Sequence, residues 1–334
     1  MSYEKIEGAE KTRFSETRES FGDYTKIEIV NEKTGMVLEI IPEKGAKVNR
    51  LSYRNEFGSF DVIDGYNTPE AVMENKYSKS SVLAPFPNRV ADGKYEFEGK
   101  EHFLPINMPE ENNSIHGFVE HEEFEVVGSS QTEEGYEIRL RLNADGGKEG
   151  YPFPFIMDIV YRLSDAGLEC ETFVENTGSQ NMPFGHGWHP YFKTEGSVRD
   201  LQLQISEVEQ IEVDDRLIPT GVKTLFDEFH EAAEIADTQL DTGFKLSGGE
   251  GSVVLTDIEN DIQISVIMDG EDNKYKYVQI FTPPDGCPAE NTIAIEPMTC
   301  EANAFNSGEG LITLVPSEKF AGKFRVEVGP IELT

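Results

Sequence analysis

Apolar and polar residues alternate with a period of two along most of this chain, in short runs separated by turn residues. Runs of this kind predict β-strands with one buried face. Two pairs of runs flank short polar turns and predict hairpins: Lys26–Val30 with Met36–Ile41, and Lys94–Phe97 with Glu101–Leu104. The other predicted strands are Tyr136–Asn143, Phe153–Leu163, Leu168–Asn176, Asp200–Ile205, Val208–Val213, Ser252–Leu255, Ile262–Met268, Tyr275–Phe281, Thr292–Glu296 and Phe320–Val328.

Helical periodicity is nearly absent. Thr68, Pro69 and Glu70 have the order of an N-cap, a first helical residue and a first turn, which predicts a short helix over about Pro69–Asn75. A second short helix is predicted within Leu225–Ile235. Because no linker or internal repeat interrupts the strands, we expect an all-β fold. It would be one large antiparallel β-sandwich domain over residues 23–334, after a polar leader over residues 1–22.

The composition supports a folded protein and narrows its partners. Of the 334 residues, 37% are hydrophobic and 10% aromatic, which is enough for a sizeable core and excludes a disordered chain. The formal net charge of -34 argues against nucleic acid and anionic membranes as partners, since both require basic patches. The acidic excess is spread along the chain, and we interpret it as a solubilising surface.

Cysteine usage and the N-terminal residues indicate a reducing compartment. Cys170, Cys287 and Cys300 fit neither a disulfide framework nor a zinc pattern. Residues 1–19 contain no apolar segment of a secretory signal, and no run of about eighteen apolar residues predicts a membrane span. We therefore expect a cytoplasmic protein, monomeric or homodimeric, that acts on a small molecule.

Two segments place a titratable side chain at the end of a short apolar run. Pro183–Phe192 contains His186, His189 and the chain's one tryptophan, and Ile293–Thr299 contains Glu296. A histidine and a carboxylate presented in this way can act as general acid and general base on one substrate. Taken alone, the local pattern favours a buried, hydrogen-bonded histidine and an exposed carboxylate at a strand end, because such residues are common there.

Four further sites stand out in loops and at strand ends. They contribute six candidate binding residues: Asn88, Arg89, His116, Asp241, Gln279 and Phe281. An arginine donates hydrogen bonds in a planar fork and an aspartate accepts them from two hydroxyls, so the Arg89–Asp241 pair is suited to a ligand with several hydroxyl groups.

Together and in this order, these segments resemble the aldose 1-epimerase (galactose mutarotase) family. The resemblance rests on Asn88–Gly93, Asn113–Gly117, Pro183–Phe192, Leu240–Asp241, and Ile295–Glu296 followed by Asn303–Asn306. It extends more weakly from about Tyr24 to the C-terminus. It implies a β-sandwich of the galactose mutarotase type, no cofactor or metal, and interconversion of the α and β anomers of a free aldose.

Position by position, the resemblance implies that His189 is the general acid and Glu296 the general base, with the six candidate binding residues around the sugar. The chemistry suits these residue types. Opening a cyclic hemiacetal removes the proton of the anomeric hydroxyl and protonates the ring oxygen. Rotation about the C1–C2 bond then presents the other carbonyl face, and the two groups exchange roles on closure. Side chains with reference pKa values of about 4.3 and about 6.5 can do this near neutral pH.

The chain departs from the family pattern beside both proposed catalytic residues. Trp188 precedes and Pro190 follows His189, where well-known mutarotases have an Asn-rich segment and a Ser. Pro297 follows Glu296 in place of a Thr-Gln continuation. These departures indicate a divergent branch, in which the acid and base roles persist but the sugar specificity does not transfer.

Alternatives remain open at this stage. A hexose 6-phosphate 1-epimerase would need a basic phosphate pocket beyond Arg89, and a non-catalytic carbohydrate-binding sandwich would not need His189 and Glu296 together. His186 lies three residues before His189 and so faces the other way on a strand, which indicates a structural role. A zinc site at these two histidines lacks a third ligand at matching spacing. Trp188 is either a stacking platform for sugar or part of the core.

Overall fold

Strands dominate the computed structural model of the protein, which describes residues 13–270 and 272–331. The first strands are β1 (Phe14–Phe21), β2 (Tyr24–Asn31), β3 (Val37–Ile41), β4 (Lys47–Arg54), β5 (Ser59–Asp61), β6 (Ser81–Leu83), β7 (Arg89–Ala91), β8 (Lys94–Phe97), β9 (Lys100–Phe103), β10 (Asn113–Ile115), β11 (Glu125–Gln131), β12 (Tyr136–Ala144), β13 (Phe155–Leu163) and β14 (Gly167–Asn176). They are followed by β15 (Met182–Phe184), β16 (Gly187–His189), β17 (Tyr191–Phe192), β18 (Gln202–Ile205), β19 (Val208–Val213), β20 (Pro219–Phe226), β21 (Ala233–Glu234), β22 (Asp241–Leu246), β23 (Gly251–Asp257), β24 (Ile262–Met268), β25 (Tyr277–Phe281), β26 (Ile293–Met298), β27 (Ile312–Leu314) and β28 (Lys319–Gly329).

Helices are few and short. They are α1 (Pro69–Glu74), α2 (Ala304–Ser307) and single 3₁₀ turns at Lys76–Ser78, Val119–His121 and Val198–Asp200. The predicted start of α1 is confirmed, since the Thr68 side chain accepts a hydrogen bond from the Ala71 amide. Asn75 ends this helix in the left-handed conformation.

The helix predicted within Leu225–Ile235 is wrong. Leu225 and Phe226 belong to β20, which pairs with β19, and the next regular element is the short strand β21. Phe226 and Phe229 have a helical spacing of three, but Phe226 packs against Phe244 of β22 with ring centroids 4.9 Å apart. Tertiary packing of a strand therefore produces the apolar spacing that suggested a helix.

The strands form antiparallel sheets that pack face to face. One sheet has nine strands in the order β11-β12-β13-β14-β28-β24-β23-β18-β21, and another has eight in the order β20-β19-β22-β25-β26-β16-β6 with β17 beside β26. The order in a five-stranded sheet is β1-β2-β3-β4-β5. Trp188 of the eight-stranded sheet stacks on Phe324 of the nine-stranded sheet, and one apolar core runs between them. The predicted all-β antiparallel sandwich is confirmed, as are both predicted hairpins.

The predicted polar leader over residues 1–22 needs correction. Residues 1–12 lie outside the described residues, but β1 forms a regular antiparallel pair with β2 from Phe14 to Phe21. Its outer residues are mostly polar because β1 is the edge of its sheet, while Phe14 is buried in the core. An edge strand with mostly polar residues has the same hydropathy as a polar N-terminal leader, so hydropathy alone does not distinguish the two. Separately, none of the described helices has the length and apolar character needed to cross a membrane.

Candidate active site

An open cleft of about 480 Å³ lies over one end of the eight-stranded sheet. The structure brings all eight candidate site residues to it. The lining comprises Tyr77, Ser78, Asn88, Arg89, Met108, Glu111, Ile115, His116, His189, Tyr191, Leu217, Asp241, Gln279, Phe281 and Glu296. Six of these residues come from neighbouring strands of the sheet, and most of the others come from loops and turns.

The sheet register places the polar side chains in a row. Gln279 of β25 lies directly opposite Glu296 of β26, so both side chains project from the same face. Asp241 of β22 lies opposite Phe281 of β25, two residues beyond Gln279. β16, which ends at His189, pairs with the far side of β26. The antiparallel register therefore brings together residues that are distant in sequence.

A two-stranded ribbon of β7 and β10 forms a second wall. Arg89 lies opposite Ile115 in this ribbon, and His116 follows directly after it. Asn88 and His116 have φ values of 55° and 65°, which are uncommon for residues other than glycine. Gly117 has a φ of 69°, and a Cβ there would lie 2.1 Å from the carbonyl oxygen of Ala84. Backbone strain of this kind is found at binding sites that the surrounding fold holds in place.

His189 and Glu296 form a buried pair at the base of the cleft. Nε2 of His189 lies 3.2 Å from Oε1 of Glu296, and the two residues are only 6% and 2% exposed. Burial, and next the neighbouring His116, lowers the pKa of His189 well below its usual value. Burial, and next the Asp241 carboxylate, raises the pKa of Glu296 well above its usual value. The pair thus contains an acid and a base whose charged forms are both disfavoured by burial.

The pair also has free hydrogen-bonding capacity. Oε2 of Glu296 and Nδ1 of His189 are buried and have no hydrogen-bond partner among residues 13–270 and 272–331. The ring of Tyr191 stacks on that of His189 at 5.0 Å and fixes its plane. A buried acceptor oxygen facing a cleft, with no donor of its own, is suited to accept a proton or hydrogen bond from a ligand.

His116 is placed to donate rather than accept. Its Nδ1 accepts a hydrogen bond from the backbone amide of Asn88 at 3.2 Å, which leaves the proton of the neutral ring on Nε2. Burial, and next the nearby Arg89, lowers the pKa of His116 to about 3. The neutral ring meets His189 edge to face with centroids 5.2 Å apart. His116 can therefore offer one N–H to a hydroxyl of a bound polyol.

A chain of amides connects the two walls. The Asn88 side-chain amide donates to Oε1 of Gln279 at 3.3 Å, and the Gln279 amide donates to Oδ1 of Asp241 at 2.7 Å. The Arg89 guanidinium donates to Oδ1 of Asn88 at 3.1 Å, while its buried Nε has no partner. Among the described residues, no carboxylate forms an ion pair with Arg89. Its remaining donors are available for ligand oxygens.

The tip of the β19–β20 hairpin closes one side of the cleft. Arg216 donates to the backbone oxygen of Glu111 at 2.8 Å, in the loop before β10, and to the Asp92 carboxylate at 2.8 Å, in the turn between β7 and β8, so the tip is held by both segments. The Asn113 amide donates in return to the Arg216 backbone oxygen at 3.0 Å. Leu217, with a φ of 59°, thereby projects into the cleft as an apolar wall.

Five cleft residues lie outside every segment that the sequence singled out: Tyr77, Ser78, Met108, Glu111 and Leu217. Each lies in a loop or turn with no periodicity, and Glu111 is one of 63 acidic residues in this chain. Nothing in the local sequence distinguishes them from surface residues. Long-range contacts, such as the hydrogen bonds of Arg216, bring them to the cleft, and a local sequence pattern contains no information about such contacts.

The structure resolves the roles of the neighbouring residues. His186 is buried away from the cleft, with Nδ1 2.9 Å from the Tyr275 hydroxyl, which agrees with a structural role. Trp188 belongs to the core: it is 1% exposed and donates to the Ser80 backbone oxygen. The alternative that Trp188 is a sugar platform is therefore wrong. Across residues 13–270 and 272–331, no three His, Cys, Asp or Glu side chains are grouped to hold a metal ion.

Comparison with known proteins supplies the family. A model of the aldose 1-epimerase family matches residues 25–327. The chain belongs to the aldose 1-epimerase family. The match covers both proposed catalytic residues and every candidate binding residue, and it confirms the family and the isomerase class inferred from the sequence.

Individual relatives agree with this assignment. The chain is 31% identical over 238 residues to an uncharacterized protein of Escherichia coli K12, YihR, covering 70% of this chain and 73% of that protein. It is 30% identical over 183 residues to the galactose mutarotase of Rattus norvegicus, covering 53% of this chain and 52% of the relative. The match thus spans about half the length of that mutarotase.

Solved structures share the fold. A galactose mutarotase-like protein from Clostridium acetobutylicum superposes with a TM-score of 0.82 at 22% identity, over 95% of this chain and 98% of the other. Galactose 1-epimerase from Lactobacillus acidophilus superposes with a TM-score of 0.77 at 18% identity, over 96% and 99%. The galactose mutarotase-like sandwich predicted from the sequence is therefore confirmed.

Proposed function

We propose that this protein is an aldose 1-epimerase that interconverts the α and β anomers of a free, uncharged aldose, with His189 as general acid and Glu296 as general base. One observation supports this assignment above all: the two side chains lie 3.2 Å apart at the base of the cleft. The anomeric hydroxyl and the ring oxygen of an aldose are both bonded to C1. Groups that act on these two oxygens together must therefore be close neighbours.

The reaction needs two proton transfers that balance. The Glu296 carboxylate takes the proton of the anomeric hydroxyl, and the electron pair of that O–H bond forms the C1 carbonyl. The bond between C1 and the ring oxygen breaks, and the ring oxygen takes the proton from Nε2 of His189. After rotation about the C1–C2 bond, the neutral His189 and the protonated Glu296 reverse both steps on the other carbonyl face. The enzyme ends in the state in which it began.

The other cleft residues hold the sugar during this sequence. Arg89 and His116 have N–H donors that can bind sugar oxygens, and Asp241 has carboxylate oxygens that can accept from sugar hydroxyls. Phe281 and Leu217 supply apolar surface for the C–H faces of the ring. Binding of this kind fixes the orientation of C1 over the acid–base pair.

The charges of the cleft favour an uncharged sugar. Its lining contains the carboxyl groups of Glu111, Asp241 and Glu296 but one permanent cation, Arg89. A phosphate group would meet more negative than positive charge there, so the hexose 6-phosphate alternative receives no support.

Polarimetry tests the proposal. Freshly dissolved pure anomers of several neutral aldoses and of a hexose 6-phosphate are followed with and without protein at a pH where spontaneous mutarotation is slow. We expect acceleration for at least one neutral aldose and none for the phosphorylated sugar. Calorimetric binding of a sugar without any acceleration would replace the enzyme by a carbohydrate-binding module, and acceleration of the phosphorylated sugar alone would overturn the substrate assignment.

A further inference from the structure

Close to His189, but outside the lining of the cleft, lie two buried charged residues that the proposed mechanism does not use. Lys47 of β4 is 1% exposed and Glu120, in the 3₁₀ turn after β10, is 4% exposed. Neither lines the cleft. Isolated charges in a protein interior are costly, and an apolar pair of similar volume is often at least as stable. Packing alone therefore gives no reason for charges at these two positions.

The two residues meet through Ser81. Nζ of Lys47 donates to the Ser81 hydroxyl and to the Lys79 backbone oxygen, each at 2.7 Å. The Ser81 hydroxyl also lies close to the Glu120 carboxylate and helps to lower its pKa. Asn75 donates to Oε2 of Glu120 at 2.7 Å, so the carboxylate is held from both sides. Lys47, Ser81 and Glu120 are called the rear network below.

The rear network is attached to the backbone of His189. Ser81 of β6 is the register partner of His189 of β16. The adjacent amide of Ser80 donates to the His189 carbonyl at 2.8 Å. The strand that carries the central hydroxyl of the rear network is thus the strand that fixes the His189 backbone.

We propose that the rear network positions His189 and balances its charge, with the Glu120 carboxylate favouring the imidazolium and the Lys47 ammonium opposing it. The proposal deepens the function proposed above and rests on His189 being the acid. These are positioning residues, because none of them touches the substrate cleft.

The electrostatics of the surroundings are consistent with this role. The groups that act on the His189 ring are Glu296 on one side, His116 and Tyr191 around it, and Glu120 and Lys47 close to it. Burial opposes ionisation of Glu120, but Lys47 and the side chains of Ser81 and Asn75 outweigh it and keep its pKa below the usual value. Burial lowers the pKa of Lys47 to about 7, so the opposing charge is itself sensitive to pH near neutrality.

Two single substitutions should move the same observable in opposite directions. Glu120→Gln removes the charge that favours protonated His189, so the acidic limb of the kcat/KM profile, where the His189 ring of the neutral pair takes up its proton, should shift to lower pH by about one pH unit. Lys47→Met removes the opposing charge, so that limb should shift to higher pH. Glu122→Gln is the matched control, because this nearby carboxylate bonds to Lys148 at the surface and should leave the profile unchanged.

Shifts of the kcat/KM profile in opposite directions for Glu120→Gln and Lys47→Met support the proposal. Shifts in the same direction, or a lower kcat with an unchanged pH profile, would overturn it in favour of a purely structural role. The variant Lys47→Met can fail to fold because it leaves the Glu120 carboxylate buried without its partner. In that case the double variant Lys47→Met/Glu120→Gln is used, because neither of the two buried charges remains in it. It should fold and have a profile between those of wild type and Glu120→Gln. The His189 ring titration followed by NMR tests the rear network without using turnover. A wild type that lacks mutarotase activity but shows the expected ring shifts would refute the proposed function alone.

Discussion

Nε2 of His189 lies 3.2 Å from Oε1 of Glu296, close enough for one proton to be shared between them. A neutral histidine beside a protonated glutamic acid has the same net charge as an imidazolium beside a carboxylate. Burial favours the neutral arrangement, whereas ring opening begins from the charged one. The protein can therefore exchange these arrangements without taking up or releasing a proton, and their titrations belong to the pair rather than to either residue.

Glu296→Gln and His189→Asn should each lower kcat by about two to four orders of magnitude, the usual contribution of a positioned acid or base. Glutamine cannot take the anomeric proton, and asparagine cannot protonate the ring oxygen. Both replacements preserve approximate size and polarity, so sugar binding should persist. Polarimetry gives kcat and calorimetry gives the dissociation constant. Full turnover by Glu296→Gln would remove Glu296 from the role of base.

Arg89→Ala should behave differently, because the Arg89 guanidinium binds sugar oxygens in the ground state and the transition state alike. We expect KM to rise at least tenfold, with a smaller effect on kcat. Arg199→Ala provides a control, since Arg199 forms ion pairs with Asp237 and Asp285 and does not line the cleft. A loss of kcat at constant KM in Arg89→Ala would instead place Arg89 in the chemical step.

The period-two pattern was sufficient for the fold because many of the longer strands bury alternate residues, as β24 and β28 do. His189 and Glu296 were accessible to sequence reasoning because each ends an apolar run in a segment that the family shares. Glu111 and Leu217 were not, since long-range contacts of Arg216 place them at the cleft. The role of Trp188 was ambiguous, because the same local sequence is compatible with a platform for a sugar ring and with a core residue. The stacking of Trp188 on Phe324 identifies it as a core residue.

Stability should decrease as the pH falls below about 6.5, because three histidines are buried in the neutral form. Burial lowers the pKa of His116 and of His186 to about 3, and that of His189 well below its usual value. The unfolded chain binds protons at these histidines below about pH 6.5 and the native protein does not. Each one therefore removes up to about 1.4 kcal/mol of unfolding free energy per pH unit until its native pKa is reached.

Glu296 acts in the opposite direction, because a raised native pKa makes the folded state bind its proton first as the pH falls. A difference between variants separates the two effects. His186→Gln should reduce the slope of the unfolding free energy against pH between about pH 6.5 and pH 5. The reduction should be at most the contribution of one buried histidine, about 1.4 kcal/mol per pH unit. His230→Gln, at an exposed position, should leave the slope unchanged. Denaturant unfolding at several pH values measures both, and parallel slopes for wild type and His186→Gln would contradict the assignment.

Arg216→Ala should loosen the wall formed by the β19–β20 hairpin tip. The substitution removes the hydrogen bonds to Glu111 and Asp92 and leaves Leu217 without a fixed position. We expect KM to rise by about tenfold, the effect of losing one charge-assisted contact, with kcat nearly unchanged. Arg216→Lys should restore part of the affinity, because an ammonium can replace one bond of the fork. Unchanged KM in Arg216→Ala would mean that the hairpin tip does not contact the sugar.

Gly117→Ala should destabilise the protein strongly, since the new Cβ would lie 2.1 Å from the Ala84 carbonyl oxygen. Gly286→Ala is the matched control: its φ of 78° resembles the 69° of Gly117, but a Cβ there meets nothing within 4 Å. The control should cost about 1 kcal/mol for the left-handed backbone alone. Gly117→Ala adds a backbone collision beside His116, so we expect a loss of about 3 kcal/mol or more together with a raised KM. Thermal and denaturant unfolding of the two variants measure the difference. Equal stability losses would show that the segment after His116 can move away from Ala84, and that the position of His116 does not depend on this close backbone contact.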